Sequence, residues 1–149
     1  MSHDLLVCRV IDPKLLQLFL GMEFIRFMQR VFKVRMTFNV EHSPEFRRSV
    51  MPMGGLVAHT DFNPTGPRSF SLLYYCSADW QPSSGGELVL GETEESIQIA
   101  PGKVIEPIPN RFVGFEITPD SWHGVRPLTR NVHRDSISLY FVATSDNTR

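Results

Sequence analysis

The chain begins with apolar residues at helical spacing and then changes to short apolar segments separated by turns. Asp12-Pro13 is a helix-start signal, because an aspartate caps free N–H groups and proline fits the first helical position. Behind it, the apolar residues that recur with the period of a helix are Leu20, Phe24, Phe27, Met28 and Val31. We predict one amphipathic helix over about 12–33, with this face packed on a core and Gly21 as a weak point.

Residues 35–142 show the pattern of an antiparallel β sandwich or barrel. Segments rich in Val, Ile, Phe, Tyr and Thr alternate with turns in which Gly and Pro are concentrated. The predicted strands are Arg35–Val40, Leu56–Thr60, Phe70–Cys76, Glu87–Leu90, Ser96–Ile99, Arg111–Ile117, His123–Pro127 and Ser136–Val142. Residues 41–48 carry no interpretable pattern. Since we find no repeat or linker, we predict a single domain over residues 1–149.

Composition and charge narrow the class of protein. With 42% hydrophobic and 21% charged residues, the chain has the composition of a folded globular domain. The net charge is −1 and Lys and Arg are scattered, so we expect no nucleic-acid or anionic-membrane partner. We also find no apolar run long enough to cross a bilayer. Two cysteines, Cys8 and Cys76, and no signal-peptide pattern predict reduced thiols and a cytoplasmic location.

A His-x-Asp motif lies at the end of the second predicted strand. Because residues two apart in a strand project to the same face, His59 and Asp61 can reach one ion while Thr60 points away. His123 lies in a distant aromatic-flanked segment that strand pairing can bring beside them. Two imidazoles and one carboxylate leave the opposite side of an iron open for a bidentate acid and dioxygen. We therefore predict a metal site, although His-x-Asp alone is also compatible with a polar strand end.

The last predicted strand has one polar and one apolar face. The polar face carries Arg134, Ser136, Ser138 and Tyr140, and the apolar face carries Ile137, Leu139 and Phe141. The planar guanidinium of arginine binds a carboxylate with two hydrogen bonds, and a nearby hydroxyl can add another. Because a buried arginine without a partner is unfavourable, Arg134 predicts an acid ligand. A surface ion pair with Asp135 is the alternative.

The order of these motifs resembles that of the iron(II)- and 2-oxoglutarate-dependent dioxygenases, and within them the prolyl-hydroxylase-like group. The resemblance runs from about Arg47 to Val142. Its elements, in the order of the family, are His59-Thr60-Asp61, Phe70–Trp80, Gly85-Gly86-Glu87-Leu88, Asn110–Phe115, Trp122-His123 and Arg134–Tyr140. Such an ordered series is far more specific than any single motif.

The resemblance implies a mainly β fold, a double-stranded β-helix or jelly-roll, with the N-terminal helix packed on the outside of one sheet. It also implies that His59, Asp61 and His123 bind Fe(II). In the related iron halogenases a small residue replaces the carboxylate ligand, so the presence of Asp61 favours hydroxylation over halogenation.

The same resemblance implies how the cosubstrate is held. Arg134 corresponds to the residue that binds the distal carboxylate of 2-oxoglutarate, with Tyr75 as a second contact and Ser136 as a third. O2 is then the oxidant, and ascorbate is an additional candidate cofactor. Asn63 and Arg68, in the loop after the second ligand, face either substrate or solvent. The other two histidines of this region are interpreted as exposed or structural: His42 and His133.

The resulting hypothesis is a dioxygenase that hydroxylates a substrate C–H bond and releases succinate and CO2. The resemblance favours a prolyl or peptidyl substrate, with a small molecule left open. Only about fifty residues precede the region of the first ligand. We therefore expect that the barrel mouth is open, that a second copy in a homo-oligomer covers it, or that the chain acts on a large, accessible substrate. The alternatives are demethylation or desaturation at the same centre, and a non-catalytic 2-oxoglutarate or metal sensor. A cupin-type barrel is disfavoured, because we find no His-x-His motif.

Overall fold

Two antiparallel sheets face each other in the computed structural model, which describes residues 5–8, 12–42, 44–51 and 55–144. The strands are β1 (Leu5–Cys8), β2 (Met36–Phe38), β3 (Glu45–Ser49), β4 (Leu56–His59), β5 (Ser69–Tyr75), β6 (Leu88–Gly91), β7 (Lys103–Ile105), β8 (Phe112–Ile117), β9 (Trp122–Val125) and β10 (Arg134–Ala143). The helices are α1 (Pro13–Leu20), α2 (Met22–Phe32) and α3 (Glu94–Ile99).

The larger sheet has the strand order β1-β3-β10-β5-β8, and β2 pairs with the end of β10. The smaller sheet has the order β4-β9-β6-β7. From β3 onward the chain alternates between the two sheets, except that β6 and β7 are neighbours in the smaller one, and this crossing is typical of a jelly-roll. The predicted double-stranded β-helix is confirmed.

The N-terminal helices cover the outer face of the larger sheet, as expected. A core of Phe19, Ile25 and Met28 from the helices packs against Ile137 and Leu139 of β10. The N-cap is also as predicted, since the Asp12 carboxylate accepts hydrogen bonds from the first turn of α1. Among the described residues, no helix is both long and apolar enough to cross a membrane.

The predicted single helix is wrong in two respects. The helix breaks at Gly21 into α1 and α2. Because of the break, the residues of α2 that face the sheet are not those expected for one continuous helix. Phe27 and Val31 are consequently half-exposed rather than packed in the core. Ile25 and Phe32 contribute to the core instead.

The predicted strand Ser96–Ile99 is also wrong, because residues 94–99 form α3. Thr93 and Ser96 make a reciprocal capping box, in which each side chain accepts from the backbone N–H of the other. This local capping outweighs the β propensity of the two isoleucines, and only Ile97 is buried. The neighbour of β6 at this edge of the smaller sheet is β7, which the sequence did not predict.

Two further strands were missed. They are β1, which pairs with β3, and β3, which pairs with β10. The sequence of β3 contains three charged residues among five, so it lacks the apolar alternation by which a strand is normally detected. The other predicted strands are present, with ends shifted by one or two residues.

Candidate functional site

The structure brings His59, Asp61 and His123 together. His59 ends β4 and lies directly across from His123 on β9, so strand pairing sets the distance between the two rings. The ring centroids are 4.3 Å apart. The Nε2 atoms of His59 and His123 lie 3.6 and 3.7 Å from the two Asp61 carboxylate oxygens. One candidate ligand atom from each residue can thus reach a common metal ion.

Backbone carbonyls orient both imidazoles. Nδ1 of His59 lies 2.8 Å from the carbonyl oxygen of Val57, and Nδ1 of His123 lies 3.1 Å from that of Ser121. Because a carbonyl only accepts, Nδ1 carries the proton in each ring and Nε2 offers a lone pair to the space beside Asp61. Two lone pairs and a carboxylate that face one another can share one cation as ligands. The donor set therefore fits a divalent metal such as Fe(II).

Burial supports the neutral form of the inner histidine. His123 is buried between the sheets, with the Phe115 ring 5.1 Å away. Burial lowers the pKa of His123, and the neighbouring His59 lowers it further, against the opposing influence of the Ser121 carbonyl and Asp61. A side chain at Gly124 would press on the backbone of β4, with its Cβ 3.0 Å from the carbonyl oxygen of Leu56. Glycine here allows the two ligand-bearing strands to approach closely.

Arg134, the first residue of β10, is a buried arginine. The Arg134 guanidinium donates to the carbonyl oxygen of Gly86 at 2.8 Å and to the Tyr75 hydroxyl at 3.3 Å. It also lies over the Tyr75 ring, 5.1 Å from its centroid. No carboxylate pairs with Arg134 in the described part of the chain, and the alternative ion pair with Asp135 is not formed. Burial lowers the pKa of Arg134, and Tyr75 opposes this only in part.

The surroundings of Arg134 contain further polar groups without partners. The hydroxyls of Ser136 and Ser138 are buried and form no hydrogen bond with any described residue. Ser136 lies directly across from Tyr75, so the three polar groups Arg134, Tyr75 and Ser136 are neighbours on adjacent strands. A buried cation and an unsatisfied hydroxyl beside it fit the carboxylate of an acid ligand. The residues predicted to contact the cosubstrate are therefore neighbours on two adjacent strands.

The Gly85-Gly86 turn builds the support for Arg134. Both residues have positive φ, at 76° and 78°, where other residues are strained. A Cβ at Gly85 would collide with the carbonyl oxygen of Pro127, so substitution there would displace the backbone. The indole N–H of Trp80 donates to the carbonyl of Gly85 at 2.8 Å and helps to fix the turn. This motif was noticed in the sequence, but its role as the anchor of Arg134 was not.

A cleft of about 660 Å³ opens beside Asp61. Its lining includes the charged pair Glu45 and Arg47 of β3 and the hydroxyl-bearing Tyr140 of β10. Burial raises the pKa of Tyr140, and the charge of Asp61 adds to this while Arg47 opposes it. Sequence reasoning assigned no function to these three residues. The alternation Glu45-x-Arg47-x-Ser49 is a strand period in polar residues, and it is the signal that could have identified Glu45 and Arg47.

The other residues considered in the sequence analysis are two loop residues and two histidines. Asn63 and Arg68 both line the cleft, and Arg68 is paired with Glu116. Asn63 instead accepts from the backbone and hydroxyl of Thr65 and shapes the loop. His42 and His133 are exposed, and His133 is bound to Asp79 at 2.8 Å.

A family model described as "2OG-Fe(II) oxygenase superfamily" matches residues 46–142, a range that includes His59, Asp61, His123 and Arg134. No protein of curated function is significantly similar to the chain in sequence.

Similar solved structures include a prolyl 4-hydroxylase of Phytophthora capsici, with a TM-score of 0.66 and 18% identity over 96% of this chain and 48% of the other. A prolyl-4-hydroxylase of Pseudomonas putida has a TM-score of 0.61 and 22% identity over 95% of this chain and 72% of the other. An oxidoreductase of the 2OG-Fe(II) oxygenase family from Burkholderia pseudomallei has a TM-score of 0.68 and 19% identity over 94% and 69%. The chain thus spans about half the length of the first of these proteins, and the likenesses establish the fold.

Proposed function

Since the chain belongs to the 2OG-Fe(II) oxygenase superfamily, we propose that it hydroxylates a C–H bond of its substrate. In this reaction O2 and 2-oxoglutarate are consumed, and succinate, CO2 and the hydroxylated substrate are formed. The observation that carries the proposal is the combination of the His59, Asp61 and His123 cluster with a buried, carboxylate-free Arg134 in the same barrel.

The residues of the chain have distinct roles in this proposal. His59, Asp61 and His123 would hold the metal through two imidazole nitrogens and one carboxylate oxygen. When bound, Fe(II) and 2-oxoglutarate supply the activation of dioxygen, with one oxygen atom ending in succinate and the other in the substrate.

Arg134 and Tyr75 bind the distal carboxylate of 2-oxoglutarate, and Ser136 donates a further hydrogen bond from its unpartnered hydroxyl. Burial of this end of the barrel excludes water from the bound acid and strengthens these contacts. The hydroxyl of Tyr75 remains protonated, since burial raises its pKa despite the nearby Arg134. It can therefore accept from Arg134 and donate to the ligand.

The direct test is anaerobic addition of Fe(II) and 2-oxoglutarate to the protein. We expect the weak visible charge-transfer band of a chelated keto acid, and we expect no band from a His59→Ala variant, which lacks one metal ligand. Absence of the band from the wild-type protein would contradict the proposal. Admission of air then separates an enzyme from a sensor, because an enzyme forms succinate slowly even without substrate. A band without any succinate would favour a non-catalytic sensor.

A further inference from the structure

The inner face of β3 carries an ion pair that the reaction described so far does not use. Arg47 and Glu45 both line the cleft beside Asp61. Phe46, which lies between them in the strand, packs against the core under the helices, so its two neighbours point into the barrel. The side chains of Arg47 and Glu45 are 30% and 23% exposed, which leaves both partly desolvated.

The hydrogen bonding of this pair is incomplete. Nε and Nη2 of Arg47 both donate to the same oxygen of Glu45, Oε2, at 3.2 and 2.8 Å. Within the described ranges, no group donates to the other oxygen, Oε1. The remaining three N–H groups of the guanidinium are left for the Tyr140 hydroxyl and for the cleft that all three residues line.

Two other arginine–carboxylate pairs of the described chain are complete. Arg48 donates from Nε and Nη2 to the two separate oxygens of Asp135, at 2.8 and 2.7 Å. Arg68 does the same with Glu116, at 2.6 and 2.8 Å. The Arg47–Glu45 pair on the inner face of β3 differs from these two pairs. It leaves N–H groups of a guanidinium and one carboxylate oxygen available in the same cleft.

Ser138 is a buried polar neighbour of the pair and is not among the residues that line the cleft. It lies directly across from Glu45 on β10, and only 1% of it is exposed. Its hydroxyl has no hydrogen-bond partner among the described residues. A buried hydroxyl without a partner is unfavourable unless a ligand supplies one.

We propose that the substrate is a free α-amino acid, with its carboxylate bound by Arg47 and its ammonium group bound by Glu45. This inference rests on the proposed function and names the substrate class for the same site. Tyr140, which lines the same cleft, supplies a further hydrogen bond from its hydroxyl. The side chain of the amino acid then extends along the cleft towards Asp61.

Charge separates this substrate from a peptide. The cleft volume of about 660 Å³ admits either an amino acid or a short peptide. An internal peptide group is neutral, so it would leave both partly desolvated charges without full compensation. Charge-assisted hydrogen bonds to a zwitterion compensate both charges at once. Free proline is a substrate that agrees with both arguments. It is a free α-amino acid, and it contains the prolyl group that the sequence resemblance favours.

The experiment measures succinate formation by the wild-type protein with Fe(II), 2-oxoglutarate and each proteinogenic L-amino acid in turn. We expect at least one to raise the rate roughly tenfold or more above the substrate-free rate, with a product heavier by one oxygen atom. Its carboxamide and its N-acetyl derivative should each lower kcat/KM by roughly tenfold to a hundredfold, since each loses one charge-assisted interaction.

Variants of β3 identify the residue that binds the carboxylate. Arg47→Gln should raise the KM for the amino acid by roughly tenfold or more with a much smaller change in kcat, and Arg47→Lys should restore part of the affinity. Arg48→Gln is the matched control, because Arg48 lies on the same strand but pairs with Asp135. It should leave the KM for the amino acid unchanged.

Two results would overturn the inference while leaving the proposed function intact. In both, the charge-transfer band and substrate-free succinate formation are present. In the first, no free amino acid stimulates turnover. In the second, the doubly blocked N-acetyl carboxamide, which mimics an internal peptide residue, is as good a substrate as the free amino acid. Absence of the band itself would instead reject the proposed function, and this inference with it.

Discussion

The two faces of β10 are equally buried but differ in whether their atoms have partners. On the outer face, Ile137, Leu139 and Phe141 pack against the helices and leave almost no exposed surface. On the inner face, Arg134, Ser136 and Ser138 are just as inaccessible, but a cation and two hydroxyls lack full compensation. The outer face stabilises the fold, whereas the inner face is complementary to something that the chain does not contain. Burial alone therefore does not distinguish core from site, but satisfaction of polar atoms does.

Removal of the charge from the inner face should give the largest effect. In Arg134→Met, we expect the affinity for 2-oxoglutarate to fall by roughly a hundredfold or more, because two charge-assisted hydrogen bonds to its distal carboxylate are lost. The free energy of unfolding should stay the same or rise, because a desolvated cation is removed. Anaerobic titration with 2-oxoglutarate and urea unfolding measure the two quantities.

The control for that variant is Arg130→Met, which changes an exposed arginine and should alter neither quantity. The comparison of the two faces would fail if Arg134→Met lost stability but bound 2-oxoglutarate normally. Arg134 would then be a structural residue.

Truncation on the outer face should have the opposite signature. Leu139→Ala should lower the free energy of unfolding by about 2–5 kcal/mol, since it leaves a cavity at a fully buried position. Affinity for 2-oxoglutarate, measured at low temperature where the variant is still folded, should change little. Val57→Ala, at a position that is 82% exposed, should change stability by less than about 0.5 kcal/mol. Equal losses in both variants would show that the outer face is not the stabilising one.

Two buried serines sharpen the comparison further. The Ser77 hydroxyl accepts from the backbone N–H of Asp135 and donates to its carbonyl, so Ser77→Ala should cost about 1–3 kcal/mol of stability. Ser138→Ala removes an equally buried hydroxyl that has no partner, so it should be neutral or stabilising. Thermal unfolding of both variants without ligand measures the difference. A destabilisation of Ser138→Ala as large as that of Ser77→Ala would show that its hydroxyl is satisfied within the protein.

The smallest effect concerns the Arg68–Glu116 pair on the cleft wall. The hydrogen bond from Arg68 lowers the pKa of Glu116 below its ordinary value of 4.5, against a weaker opposing effect of burial. A carboxyl whose pKa is lowered on folding stabilises the protein above its unfolded pKa and loses that contribution as the pH falls through the lowered value. The difference in Tm between wild type and Glu116→Gln should therefore be constant above about pH 5 and shrink below about pH 4. A pH-independent difference would contradict the assignment.

Much of the architecture follows from local patterns. The alternation of polar and apolar residues in 134–141 predicts a strand with two different faces, and the spacing of His59 and Asp61 predicts two side chains on one side. The break at Gly21 was likewise expected, but its effect on Phe27 and Val31 was not, because the position of each helix is decided by its contacts with the sheet. At residues 96–99 the apolar content predicts a strand, but the capping box of Thr93 and Ser96 stabilises a helix instead.

The sequence by itself determined which residue types are available for a metal and an acid, and which face of the last strand holds the arginine. Only the tertiary structure decided that His123 lies across from His59, that Gly86 anchors Arg134, and that Glu45 and Arg47 face the cleft. The physical reason is distance along the chain. Propensity and periodicity report on neighbours within a few residues. These contacts instead join residues that lie 48 to 93 positions apart in the chain, and they depend on which side chains are desolvated when the two sheets close.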